Sequence, residues 1–64
     1  MISIKGTKMQ ITNFKALLFV SDTLICIQEQ EKEIRIHGTQ LQVSAFHTEE
    51  VVVCGMFETI EFLK

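Results

Sequence analysis

The sequence predicts an all-β domain, and three observations carry this prediction. Apolar and polar residues alternate with a period of two along most of the chain, as in strands with one buried face. The apolar residues are rich in Ile and Val, which favour strands, and helical spacing is not sustained anywhere. Isolated glycines and turn-forming residues interrupt the alternation. We expect about eight short strands, at 2–5, 7–13, 16–20, 23–28, 33–37, 39–45, 50–54 and 56–63, in hairpins that form a meander or a small roll or sandwich.

Three of the strand junctions are predicted at glycines. Apolar and polar residues alternate on both sides of Gly6 and Gly38, and the apolar parity is preserved across each of them. At Gly55 a hairpin loop would place one apolar set on the inner face, namely Val51, Val53, Met56, Ile60 and Phe62. Glycine suits a two-residue hairpin loop because such loops need positive φ. A glycine bulge inside one long bent strand shifts the parity in a similar way. Both interpretations give these glycines a structural role, and the sequence leaves the choice between them open.

Three strands are predicted to be apolar on both faces: ALLFV at 16–20, TLICI within 23–28, and VVVC within 50–54. A strand of this kind is covered on both sides, either by a second layer or by another chain. A chain of 64 residues is too short to supply two full layers for each of them. We therefore expect an interaction surface in these strands, formed by Leu18, Val20, Leu24, Cys26 and Val52, and the alternative is a closed roll that buries them within one chain.

The last predicted strand contains one residue that breaks the parity. Glu58 falls where the alternation from Met56 to Ile60 expects an apolar side chain. A local bulge that turns Glu58 towards solvent is preferred over a carboxylate that points into a groove or an interface.

The chain repeats itself at half its length. MISIKGTKMQITNF at 1–14 matches EIRIHGTQLQVSAF at 33–46, with Phe14 equivalent to Phe46. The repeat predicts a single domain over residues 1–64, built from two similar halves (1–32 and 33–64) that share one core.

Composition and charge argue against several classes of protein. The net charge is −2 and no basic cluster is present, so we expect no nucleic-acid partner. No export signal and no run of about 18–20 apolar residues is visible, which predicts no direct membrane insertion and a cytoplasmic location with reduced thiols. Small domains gain stability from partner subunits, so a homo-oligomer is expected.

Candidate chemistry is sparse. Cys26, His37, His47 and Cys54 are separated by 11, 10 and 7 positions, which match no compact zinc pattern. Both cysteines lie among Ile or Val residues and are interpreted as small apolar residues. We predict no enzyme, no cofactor and no metal. A small metal- or ligand-responsive binding module that uses these four side chains is the second hypothesis, and a thiol enzyme is the third.

Three segments carry a resemblance to a known family: ITNFKALLFVSDTLICIQ, IRIHGTQLQV and VVVCGMFETIEFL. With them, the chain resembles the YabP/YqfC family of bacterial sporulation proteins over nearly its whole length, and it is closer to YqfC. The resemblance implies structural roles for the positions that match the family pattern: Ile34, Ile36, Gly38, Leu41, Gly55, Ile60 and Phe62.

The resemblance implies a small non-enzymatic β protein of Firmicutes, with an assembly or scaffold role in the spore coat or the forespore envelope. It implies partners among other sporulation, coat or membrane proteins. It also implies a location in the cytoplasm of the sporulating cell, with the periphery of the forespore envelope as the alternative. Family members usually have a longer N-terminus, and this sequence begins almost at its first strand, so we expect that extension to be absent.

Overall fold

The computed structural model describes residues 2–64, which form six strands and no helix. The strands are β1 (Ile2–Lys5), β2 (Lys8–Thr12), β3 (Ala16–Val20), β4 (Leu24–Gln28), β5 (Glu33–Phe46) and β6 (Glu50–Leu63). They form one antiparallel sheet in the order β1-β2-β6-β5-β4-β3. The two long strands therefore lie at the centre, and each flank carries one short hairpin. The all-β prediction is confirmed.

The core lies on one face of this sheet. Its fully buried side chains are Met9, Ile11, Ile25, Ile27, Ile34, Ile36, Val51 and Val53. No helix is present in residues 2–64 to cover that face, so the sheet itself folds over and packs one half against the other. The first half-sheet contains β1, β2, residues 50–54 of β6 and residues 42–46 of β5. The second contains β3, β4, residues 33–38 of β5 and residues 56–63 of β6.

The long strands β5 and β6 pass from one half-sheet to the other through a bend. Gln40 and Leu41 together lie opposite the single residue Gly55, and Gln40 has a positive φ of 53°. This extra residue is a β-bulge, and it moves the buried positions of β5 from Ile36 and Gly38 to Leu41. Without the extra residue, the side chains of β5 that point into the core in one half-sheet would be continued by side chains that point to solvent in the other half-sheet.

Both short hairpins end against the bend. The backbone N–H groups of Gly38 and Leu41 donate to the carbonyls of Thr23 (3.1 Å) and Asp22 (2.9 Å) in the β3–β4 turn. The N–H of Gly55 donates to the carbonyl of Thr7 (3.0 Å) in the β1–β2 turn. The backbone groups that the bulge removes from the regular ladder are thus partly satisfied by the two turns.

Two glycines permit the close approach of β5 and β6 at the bend. A Cβ on Gly38 would lie 2.0 Å from the backbone carbonyl oxygen of Met56. A Cβ on Gly55 would lie 2.8 Å from the carbonyl oxygen of Gln40 and 2.9 Å from the Cα of Leu41, and the φ of Gly55 is +142°. Neither position can hold a larger residue unless the backbone moves.

The three predicted glycine junctions have two different structures. At Gly6 the chain makes a hairpin, with φ of +64° and with Lys5 paired with Lys8 across a loop of Gly6 and Thr7. At Gly38 and Gly55 the strand continues past the glycine. The expected strands 33–37 and 39–45 are therefore one strand, β5, and 50–54 and 56–63 are one strand, β6. The structure has six strands and not eight.

The predicted pair of similar halves is not confirmed. The equivalent segments differ, because residues 2–12 form a hairpin and residues 33–46 form one bent strand. The equivalent rings of Phe14 and Phe46 do meet, with centroids 5.7 Å apart and planes tilted by 49°. Phe14 is buried, while Phe46 is exposed.

The far half of β6 contains the residue that breaks the parity. Thr59 pairs with His37 and Phe57 pairs with Gly38, so Glu58 between them has no partner in the ladder and is exposed. The bulge interpretation of Glu58 agrees with this arrangement. Met56 was expected on the inner face, but it is 63% exposed because the bend intervenes.

We expect Gly38→Ala to lower the free energy of unfolding by about 3 kcal/mol or more, because the new methyl group must displace a backbone carbonyl. Gly6→Ala is the matched control. No atom lies within 4 Å of its Cβ position, so only the positive φ is strained, which costs about 1–2 kcal/mol. Urea denaturation, monitored by circular dichroism, measures the free energy of unfolding of both variants. Equal stability of the two variants would show that the approach at Gly38 relaxes easily.

Candidate interaction site on the edge strand

The strand β3 is the least protected part of the sheet. It lies at one edge, so one side of its backbone has no neighbouring strand among residues 2–64. Its sequence, ALLFV, has no charged or polar side chain. Leu18, Phe19 and Val20 are each about half exposed, at 50%, 52% and 46%. An apolar edge of this kind is a template for pairing with another strand.

A bulge in β3 explains why three consecutive apolar residues are exposed. Leu17 pairs with Ile27 and Phe19 pairs with Cys26, so Leu18 is an extra residue between two ladder positions. Leu17 packs against the core, as its partner Ile27 does. Past the bulge the parity has changed, and the side chain of Phe19 shares the outer face with Cys26.

Val20 is exposed for a different reason. It pairs with Ile25, which is fully buried, so Val20 belongs to the inner face. No further strand lies beyond β3 in the described part of the chain, and this end of the inner face is left open. At this edge, exposed apolar side chains therefore lie on both faces of the sheet: Phe19 on the outer face and Val20 on the inner face.

The opposite edge is better protected. Strand β1 has only four residues, ISIK, of which Ser3 and Lys5 are polar. Lysine on an edge strand discourages pairing, because joining a second strand would bury or crowd its charge. Ile4 is 52% exposed and is the one large apolar side chain among Ile2–Lys5 that is exposed.

Other exposed rings in the described residues have partners, whereas Phe19 does not. The ammonium group of Lys32 lies 5.1 Å from the ring centroid of Phe62. Phe46 stacks obliquely on Phe14. No ring or cation contact of this kind reaches Phe19 from residues 2–64. The β3 edge is thus the place where apolar surface is exposed with the least compensation.

The outer face beside β3 changes from apolar to charged. Cys26 on β4 lies between Phe19 and Arg35 in the ladder and is 7% exposed. Arg35 Nε donates to a Glu33 carboxylate oxygen at 2.7 Å. His37 Nε2 on β5 and Glu61 Oε1 on β6 are also 2.7 Å apart. Arg35 and His37 are therefore each engaged by a carboxylate, and these two pairs border the apolar part of this face.

The structure brings four of the five expected surface residues to one end of the sheet. Leu18 and Val20 lie on β3, and Leu24 and Cys26 lie on the adjacent strand β4. Leu24 is half-buried and Cys26 is buried, so β3 provides most of the accessible apolar area. Val52 is half-buried on β6 in the other half-sheet, between Gln10 and Ala45, and does not join this group.

The sequence-based prediction missed Phe19. Strict alternation places Leu18 and Val20 on one face and Phe19 on the other, which hides the fact that all three are accessible. The change of parity depends on the pairing of Phe19 with Cys26, a contact between two strands. The run of five apolar residues at 16–20 was the available signal, since an edge strand with such a run is exposed whatever its parity.

The four side chains considered for a metal do not form a site. Among residues 2–64, no group of three or more His, Cys, Asp or Glu side chains is arranged to hold a metal ion. His37 is engaged with Glu61, and Cys54 donates its S–H to Ser44 Oγ at 3.3 Å. The backbone of His47 closes the β5–β6 turn by hydrogen bonding to Glu50.

One surface depression lies at the other end of the molecule from the bend. It has a volume of about 510 Å³ and is open to solvent. Its lining residues are Asn13, Glu29, Gln30, Glu31, Lys32 and Lys64. These side chains include no cysteine, serine or histidine, so the depression does not combine a nucleophile with a histidine base.

Comparison of the chain with protein-family models, with curated proteins and with solved structures finds no match. Within residues 2–64, no helix has the length and apolar character needed to cross a bilayer.

The two thiols should differ in reactivity. Burial raises the pKa of Cys26, with a smaller contribution from Glu33. We expect iodoacetamide to modify Cys54 roughly tenfold faster than Cys26 in the folded chain, and both at one rate in urea. Peptide mass spectrometry after timed quenching measures the two rates. Faster modification of Cys26 would mean that the β3–β4 hairpin opens readily.

The same shift has a consequence for stability at high pH. The folded chain holds the Cys26 proton more tightly than the unfolded chain does, because its pKa is raised on folding. This contribution is fully present below the unfolded pKa of about 8.5 and is lost as the pH rises through the folded value. Cys26→Ser removes the thiol and serves as the control for alkaline denaturation.

Proposed function

We propose that the protein is a non-enzymatic assembly component that recruits a partner by pairing a strand with β3. The observation that carries the proposal is an edge strand with no charged or polar side chain, whose residues Leu18, Phe19 and Val20 are all about half exposed. Edge strands in stable monomers are usually protected by charge, proline or a covering segment. Pairing would satisfy the free backbone groups of β3 and bury its apolar side chains together.

The sequence resemblance supplies the biological setting of the proposal. In that setting the chain acts in the assembly of the spore coat or the forespore envelope of a sporulating cell. Its partners are copies of itself and other sporulation, coat or membrane proteins. The expected location is the cytoplasm, or the periphery of the forespore envelope.

The shape of the site supports binding of a strand over binding of a small molecule. The exposed apolar side chains are spread along one strand and do not enclose a cavity. Arg35 and His37, which lie on the outer face near β3, are already hydrogen-bonded to carboxylates. A partner that lies along β3 can contact the apolar residues without separating these pairs.

We expect Leu18→Lys to prevent self-association. Leu18 is the extra residue of the β3 bulge and is 50% exposed, so a lysine there leaves the core intact while it places a charge on the edge. Sedimentation velocity over a range of concentrations should show reversible association for the unmodified chain and a monomer for the variant. Circular dichroism verifies that the variant is folded.

Ile4→Lys is the matched control for this experiment. Ile4 is 52% exposed and also lies on an edge strand, but at the opposite edge. It should associate like the unmodified chain. Loss of association in Ile4→Lys and not in Leu18→Lys would assign the contact to β1 and reject the proposed site.

The sporulation setting has its own test. In the bacterium that encodes the chain, synthesis should begin when endospores form, and a fluorescent fusion should collect at the forespore. A fusion that carries Leu18→Lys should stay diffuse, since its docking strand is blocked. Constant synthesis during vegetative growth, with no change on sporulation, would exclude the proposed setting but leave strand pairing unaffected.

A further inference from the structure

We infer that the strand that occupies the β3 edge is β3 of a second copy, paired antiparallel in the register that places Lys15 of each chain opposite Asp22 of the other. This inference rests on the proposed function, because it specifies the partner and the geometry of the same edge. In this register Leu17 faces Val20 and Leu18 faces Phe19, and the twofold axis passes between Leu18 and Phe19.

Charge complementarity is the first observation that favours this arrangement. The uncharged strand β3 is flanked by Lys15 before it and by Asp22 after it, and both residues are exposed. Neither makes an ion pair with any of residues 2–64. Antiparallel pairing of two copies brings opposite charges together at both ends of the strand. Parallel pairing would bring lysine to lysine and aspartate to aspartate.

The two charged residues are held in place at the ends of the strand. The backbone N–H of Lys15 donates to the carbonyl of Gln28 at 2.7 Å. The Ser21 hydroxyl accepts from the N–H of Leu24 at 3.0 Å and fixes the turn that carries Asp22. The carbonyl of Asp22 also accepts from the N–H of Leu41 at the bend. The fold therefore sets the spacing between the backbones of Lys15 and Asp22.

The faces of the side chains are the second, independent observation. Residues directly opposite each other in a sheet must lie on the same face. Leu17 and Val20 both belong to the inner face, since they pair with the buried residues Ile27 and Ile25. They can therefore face each other across the dimer axis. A shift by one residue would set Leu17 against Phe19, which lies on the outer face with Cys26.

The bulge in β3 makes this agreement possible. In a regular strand, residues 17 and 20 lie on opposite faces, because their separation is odd. The extra residue Leu18 restores them to one face, and it does so in the middle of the strand. The same bulge leaves Leu18 and Phe19 next to each other at the centre of the proposed interface, where both are about half exposed.

Head-to-tail association through the two different edges is less favourable. In an antiparallel sheet of six strands the two edges run in opposite directions, so stacking of copies would pair β3 antiparallel with β1. The start of β3 would then meet the end of β1, which places Lys15 beside Lys5. A β3–β3 contact avoids this repulsion, and it closes as a dimer because the same patch is used on both copies.

A charge-swap series tests the register. Lys15→Asp places two aspartates together at each end of the interface, and we expect a dimer dissociation constant roughly tenfold higher at low salt. Asp22→Lys should weaken the dimer similarly. The double variant Lys15→Asp with Asp22→Lys restores opposite charges and should return to within about threefold of the unmodified chain. Sedimentation velocity measures all four, and 0.5 M NaCl should reduce the differences, with a Debye length of about 4 Å.

Lys8→Asp is the matched control, because it makes the same change in net charge on an exposed lysine of β2 in the other half-sheet. It should dimerise like the unmodified chain. A double variant as weak as the single ones, while Leu18→Lys still abolishes the dimer, would overturn the register and leave the β3 site standing. An unmodified chain that stays monomeric at millimolar concentration would overturn both the register and the proposed function.

Discussion

The structure depends on the close approach of β5 and β6 at their bend. There the backbone of Gly38 lies against the carbonyl of Met56, and Gly55 lies against Gln40 and Leu41. Because two glycines allow this approach, one long hairpin can contribute strands to both half-sheets. The sheet then covers its own apolar face, and a chain with no helix among residues 2–64 obtains a core with eight fully buried side chains. The short hairpins are attached to the bend by the hydrogen bonds of their turns.

Local features of the fold could be predicted from the sequence, and features that depend on distant contacts could not. The alternation of Ile34 and Ile36 with polar residues was sufficient to place them in the core, and the misfit of Glu58 was sufficient to suggest a bulge. Gly6 and Gly38 have similar neighbours in sequence but form a turn and a bend. The difference arises because the backbone of Gly38 lies against the carbonyl of Met56 on the neighbouring strand. The residues next to Gly38 in the sequence do not indicate this contact.

The candidate site shows the same division. The apolar run at 16–20 was visible in the sequence, and so was the need to cover it. Its position at the edge of the sheet follows from the order of the strands, which the sequence does not specify. The accessibility of Phe19 follows from a bulge set by the pairing of β3 with β4. The expected role of Val52 relied on the apolar run at 51–54, and the strand order places it in the other half-sheet.

The way in which the long hairpin serves both half-sheets also determines how the chain can be divided. Residues 2–32 form two hairpins, β1–β2 and β3–β4, which share no strand pairing and are joined into one sheet only by β6 and β5. A fragment that ends there has no continuous sheet and no complete core. Residues 33–64 contain the β5–β6 hairpin, which offers one edge to β4 and the other edge to β2. The fragments 2–32 and 33–64 are therefore complementary, because β2 and β4 of the first pair with β6 and β5 of the second, although their sequences resemble each other.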